Sequence, residues 1–178
     1  MKTPLSLLIL SIFILSTPSI LVAEESMMSH YSNPGLRLEL RYPSDWTKNE
    51  GVAGSVATFL AHKEAGKDSF SENVNVLVQD LSKQPMNLAE YTDFSVNQLK
   101  QMVHEIQIEK IEDAQLGGQP AKRIVYSGKD TEGKMMKYVQ MWTIKDKKVY
   151  LIGYTAELLH FDKYASQAQE MMESFKFI

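Results

Sequence analysis

The 178-residue chain predicts an α+β sandwich around a mainly antiparallel sheet. Three observations carry that prediction. The carboxyl-terminal third holds strands joined by connections too short for crossovers, which makes neighbours antiparallel. Two of these strands, residues 135–144 and 149–155, are apolar on both faces of the pleat and need cover on both. Two amphipathic helices, one opening at Asn87 and one near the carboxyl end, provide it.

In chain order, Leu36, Leu38, Leu40 and Tyr42 alternate with Arg37, Glu39 and Arg41, a strand with one buried and one wet face. Pro43-Ser44-Asp45 ends it, with Trp46 beyond. Residues 56–61 are apolar except for Thr58. Val74, Val76 and Val78 alternate with Asn75, Leu77 and Gln79, and Gln84-Pro85 breaks the chain. Asn87 with Glu90 three residues on forms a capping box that opens a helix. Its apolar stripe reads Leu88, Tyr91, Ser95, Leu99, Met102 and Ile106, which places His104-Glu105 late in the helix. A weaker strand over 108–116 meets Gly117-Gly118, which supplies the positive backbone angles of a tight hairpin, and 121–127 pairs back. On the strand over 135–144, Met136, Tyr138, Gln140, Trp142 and Ile144 share one face, and Met135, Lys137, Val139, Met141 and Thr143 the other. Val149 and Leu151 oppose Tyr150, Ile152 and Tyr154 on the next. The terminal helix turns Phe161, Tyr164, Ala165, Ala168, Met171 or Met172, and Phe175 inward.

Composition narrows the function classes. Hydrophobic residues at 44% give enough apolar side chains for a packed core, so the bulk of the chain is not disordered. A net charge of −3 lacks the basic footprint of a nucleic-acid binder. With no cysteine, disulfides, thiolate metal sites and thiol nucleophiles are excluded, and an extracytoplasmic setting fits. Residues 1–23 have the order of a secretory signal peptide: Lys2, an apolar run over 5–15, Pro18, and small or apolar residues to Ala23. The alternative is an uncleaved anchor just long enough to cross a bilayer of roughly 30 Å. Removing the segment takes one Lys and no acid, moving the net charge from −3 to −4. Residues 24–30 read as a short polar spacer and 31–178 as one domain.

Several short stretches resemble the PsbP family. Tyr42-Pro43-Ser44-Asp45-Trp46 is similar to its early YPxxW element, and Gly118-Gln119-Pro120-Ala121 to a glycine-containing turn. Gln140-Met141-Trp142-Thr143-Ile144, Lys148-Val149-Tyr150-Leu151 and Ser174-Phe175 resemble its later strands and ending. The resemblance runs from about residue 31 to residue 178. It implies the α/β/α sandwich with an antiparallel sheet shared by PsbP, DcrB-type envelope proteins and Mog-type proteins. It also implies a binding or assembly factor, since most members are such factors without established chemistry. Plant members carry a longer amino-terminal arm for docking to photosystem II, whereas only residues 24–30 are available here, which points to a bacterial extracytoplasmic relative.

Candidate site residues are few. The four histidines, His30, His62, His104 and His160, lack HExxH or HxH spacing, and each reads as a surface or strand-end residue. His62 falls on the strand face of Val56 and Leu60. His30 beside a freed amino terminus is the weak copper or nickel alternative. The pairs Met27-Met28, Met135-Met136 and Met171-Met172 read as core filling, because neighbours on a strand point to opposite faces. Glu24-Glu25 and Glu112-Asp113 read as solvated charge. Gly51, Gly54 and Gly66 do not form a phosphate loop, and no GxSxG elbow occurs. The expectation is therefore no catalytic, cofactor-binding or metal residue, and no cofactor. Lys145, Asp146, Lys147 and Lys148 form a basic hairpin tip, with Lys129, Lys134 and Lys137 around the preceding loop, a candidate contact for an anionic partner or membrane surface.

The function expected is a non-enzymatic extracytoplasmic binding or assembly protein, periplasmic or secreted, acting through a protein interface or a shallow pocket beside the sheet. The expected partner is an envelope or membrane-associated protein, with peripheral membrane contact and no nucleic acid. Two alternatives stand beside it. One is a photosystem II accessory protein in the thylakoid lumen of a photosynthetic source. The other is a small envelope hydrolase or isomerase, which a cleft holding a buried carboxylate–histidine pair would favour.

Overall fold

The computed structural model describes residues 27–62 and 70–178. Residues 1–23, expected to be a signal segment, lie outside them, as do Glu24-Glu25 and Gly66. The chain enters as β1 (Met28–Asn33), ahead of the expected start at Tyr31, and pairs antiparallel with β2 (Leu38–Pro43). The periodicity of β1 is weak because Tyr31 is its one fully buried residue. The polar β3 (Thr47–Glu50) follows, without a buried residue and likewise unanticipated.

β4 (Ala57–Leu60) and β5 (Asn73–Asp80) then bring their alternating apolar residues into the sheet. His62 falls just past the end of β4 rather than on its face. The helix α1 (Leu88–Met102) opens with the expected capping box: the Asn87 side chain accepts from the Glu90 amide at 3.0 Å, and the Glu90 carboxylate accepts from the Asn87 amide at 2.8 Å. The helix ends earlier than its stripe suggested. Met102 is 75% exposed, and Ile106 belongs to the strand β6 (His104–Leu116). His104 and Glu105 are therefore strand residues, because pairing with the next strand draws the chain out of the helix. A positive φ of 53° at Glu105 and register shifts between His104 and Lys110 absorb the change of direction.

β7 (Gln119–Lys129), β8 (Met135–Lys145) and β9 (Lys148–Glu157) complete the meander. The β6–β7 turn has φ of 57° at Gly117 and 75° at Gly118; the β8–β9 turn has φ of 50° at Asp146 and 57° at Lys147. Two successive positive φ values suit a tight hairpin that follows the twist of the strands. The helix α2 (Phe161–Ser174) and a last short strand, β10 (Lys176–Phe177), end the chain.

Among the described residues every strand pairing is antiparallel. A seven-stranded sheet runs β3-β4-β5-β9-β8-β7-β6, and a three-stranded sheet runs β1-β2-β10. The fold is thus the α+β sandwich around an antiparallel sheet that was expected, with a small second sheet that the sequence did not announce. On one face of the large sheet α1 packs over Ile124, Tyr126, Trp142 and Val149. On the other face α2 and the small sheet pack over Phe59, Val74, Val76, Ile152 and Tyr154. The alternation of β8 and β9 assigns Trp142 and Val149 to the first face and Val139, Tyr150, Ile152 and Tyr154 to the second, as their spacing predicts.

Candidate functional site

The layers on the second face do not cover all of it. α2 lies along β9 and the small sheet, on the β2 side, while the face of β6, β7 and β8 extends past the helix. The strip between them is a groove of about 340 Å³. Its floor is Val139 and Met141 of β8 with Tyr154 of β9, and its helix wall is Phe161, Ala165, Ala168 and Met172. The width comes from the two alanines: the stripe of α2 that faces the sheet is small in the middle, where a larger side chain would fill the space.

The two ends of the groove differ. At the amino-terminal end of α2, Phe161 packs against Tyr154 with ring centroids 5.1 Å apart, and the Tyr154 hydroxyl donates to the Phe161 carbonyl at 2.8 Å. The Lys137 ammonium lies 4.9 Å from the Phe161 ring and pairs with Glu109 at 2.9 Å. Burial, and then the nearby Glu72 carboxylate, push the Tyr154 phenol above its usual range, so it is a neutral donor at physiological pH. The other end is polar. Gln115, Gln169 and Glu173 are exposed there, and Arg123 projects from β7 opposite Met141. Arg123 Nη1 donates to Glu112 Oε1 at 2.9 Å across the β6–β7 ladder, and Gln169 donates to Glu173 at 2.7 Å along the helix. Glu112 also pairs with Lys110; that hydrogen bond, and then the one from Arg123, hold its carboxyl below the usual range.

The sequence-predicted candidates lie elsewhere. His30 is exposed on β1 and contacts Glu39 at 3.2 Å; a freed amino terminus for it to join lies outside the described residues. His62 is exposed, and its carbonyl accepts from the Tyr164 hydroxyl at 3.2 Å. His104 is exposed at the start of β6. His160 caps the start of α2, with Nδ1 3.4 Å from Oε1 of the buried Glu72 and 4.0 Å from Glu157. This is a carboxylate–histidine pair, but neither partner lines the groove. Among the described residues no group of three metal-ligating His, Asp or Glu side chains converges.

Met136, Met171 and Met172 are buried, Met135 is half-buried, and Met27 is exposed. Glu112 and Asp113 are both in ion pairs, with Arg123 and Lys122. Of the two lysine groups, Lys129, Lys134 and Lys137 are each matched by an acid, Glu105, Glu157 and Glu109. In the hairpin tip, Lys145 lies 5.5 Å from the Phe177 ring. The groove residues Arg123, Gln169 and Glu173 were not singled out from sequence. The signal that could have found them was Arg123 standing on the same strand face as Val125, and small residues in the middle of an otherwise large inward stripe.

Comparison with known proteins supports one assignment. Among curated proteins none matches. The structure is similar to the solution structure of cyanobacterial PsbP (CyanoP) from Synechocystis sp. PCC 6803. There the TM-score is 0.59 and the identity 16%, covering 86% of this chain and 94% of that one. It is also similar to LpqN, involved in cell envelope biogenesis of Mycobacterium tuberculosis, with a TM-score of 0.60 and 16% identity over 86% of each chain. At such identity these likenesses describe the fold. No helix of the described residues is long and apolar enough to cross a membrane. The PsbP family model matches residues 26–177, nearly the whole of the chain beyond residue 23, and the chain therefore belongs to the PsbP family.

Proposed function

We propose that this protein is an extracytoplasmic binding or assembly factor of the PsbP type, and that the groove beside α2 is where it binds. The groove carries the reading: an apolar, largely preformed concavity with a few polar groups at one end is the usual form of a binding site. The targeting pattern of residues 1–23 supports placement outside the cytoplasm, in the periplasm or secreted. LpqN, which shares the fold, is involved in cell envelope biogenesis, and a role at the envelope fits the same picture. A second reading, a small hydrolase or isomerase, draws on the Glu72–His160 pair. It is the weaker one, because the pair lies outside the groove where a substrate would sit.

The test is quantitative recovery of envelope components on the immobilised protein, with Ala165→Leu as comparison, since leucine at 165 would fill the groove. A component retained by the native chain and lost with Ala165→Leu is the expected outcome. Equal recovery on both would remove the groove from the function. For the second reading, envelope hydrolase activity that disappears in His160→Ala would reverse the order of the two.

A further inference from the structure

We infer that the groove takes a single-chain amphiphile: an alkyl or acyl chain of about ten carbons carrying an uncharged, hydrogen-bonding headgroup. This rests on the reading of the groove as the binding site and names its ligand class. Three observations lead there. The first is shape. The wall from Phe161 to Met172 runs along α2 for about 16 Å at 1.5 Å per residue, so the site is a trough rather than a bowl. An extended alkyl chain of about ten carbons fits within that length.

The second observation is polarity along the trough. At the end of Tyr154 and Phe161 the Tyr154 hydroxyl is occupied by the Phe161 carbonyl and the Lys137 ammonium on the Phe161 ring is paired with Glu109, so among the lining residues there it is rings and methylenes that face the groove. The end at Gln115, Arg123, Gln169 and Glu173 offers both donors and acceptors. A ligand matched to both ends has an apolar tail and a polar head. The third is charge. At the polar end Arg123 and Glu173 line the groove with opposite charges, and the Arg123 charge is further offset by its pair with Glu112. An anionic head would meet Glu173 and a cationic head Arg123, so the balanced site favours a neutral head that uses the remaining hydrogen-bonding positions.

The experiment is calorimetric titration of the protein, as secreted by its expression host, with three ten-carbon probes below their micelle concentrations: 1-monodecanoylglycerol, decanoate and decyltrimethylammonium. One-to-one binding of the glycerol ester, at least tenfold tighter than either charged probe, is expected. Ala165→Leu should weaken it at least tenfold with unchanged circular dichroism. Glu173→Lys, an exposed substitution that spares the core, should shift the preference toward decanoate by tenfold or more. Equal binding of all three probes, unchanged binding by Ala165→Leu, or an unaltered preference in Glu173→Lys would overturn the inference. If none of the probes binds while envelope recovery still depends on the groove, the ligand class falls and the binding reading stands.

Discussion

Trp142 shows how single side chains fix the α1 face. It is fully buried, and its indole N–H donates to the Thr92 hydroxyl at 3.1 Å, which itself donates to the Leu88 carbonyl at 2.7 Å. Thr92 thus ties the centre of the sheet to the first turns of α1. Thr92→Val keeps the shape but strands a buried N–H, so it should destabilise by about 1–3 kcal/mol, while Thr92→Ser should be much milder. Urea unfolding of the two variants separates these outcomes through their midpoints. Gly117 is the second such position. Its φ is 57°, and an added Cβ would stand 2.7 Å from Cδ2 of Phe177. Gly117→Ala should therefore cost about 1–3 kcal/mol from strained backbone and a displaced ring. Gly118, at φ 75° but with nothing within 4 Å, should accept Asn with a smaller loss in the same unfolding measurement.

At the scale of elements, the helices differ in how they are specified. α1 carries its own start signal, and Asn87→Ala should lower stability by about 1 kcal/mol through loss of the cap, read as a shift in thermal midpoint. α2 has no side-chain cap at His160 and depends instead on tertiary packing of Ala168, Met171 and Met172. The small strands β1, β3 and β10 have the least local definition. β10 exists only because β2 is there to pair with it: Lys176 lies opposite Glu39, and Phe177 opposite Leu38. β6 is an edge strand whose ladder with β7 is interrupted by register shifts, and it carries many charged residues, which together discourage edge-to-edge pairing with another chain.

The whole molecule responds to pH through its buried phenols. Burial is the leading cause raising Tyr91, Tyr126, Tyr138, Tyr150 and Tyr154 above the ordinary tyrosine value. Folded chains keep these protons where unfolded chains give them up, at about pH 10. The contribution is complete below that pH and is lost as pH rises beyond it, because the unfolded state then binds fewer protons. The urea midpoint should fall between about pH 9 and about pH 11, as the unfolded chain gives up the protons of these five rings. Tyr126→Phe should flatten the fall. A midpoint constant across that range would contradict the burial of these rings. The same layered packing leaves the groove, because α2 lies along β9 and the small sheet and does not cover the whole of its face.

The sequence by itself determined the antiparallel meander, the face assignments of β8 and β9, the α1 capping box, the Gly117-Gly118 turn and the PsbP resemblance. Each is written in local periodicity, in turn chemistry or in a short motif, which requires no knowledge of distant residues. Tertiary structure alone decided the rest. Whether His104 ended a helix or began a strand depended on β7 being available for pairing. The small sheet formed from segments with little pattern of their own. Ala165, Ala168, Arg123 and Met141 became one groove only because α2 comes to lie along β9 and stops short of β7, and that placement is set by the summed packing of the core rather than by any single stretch of chain.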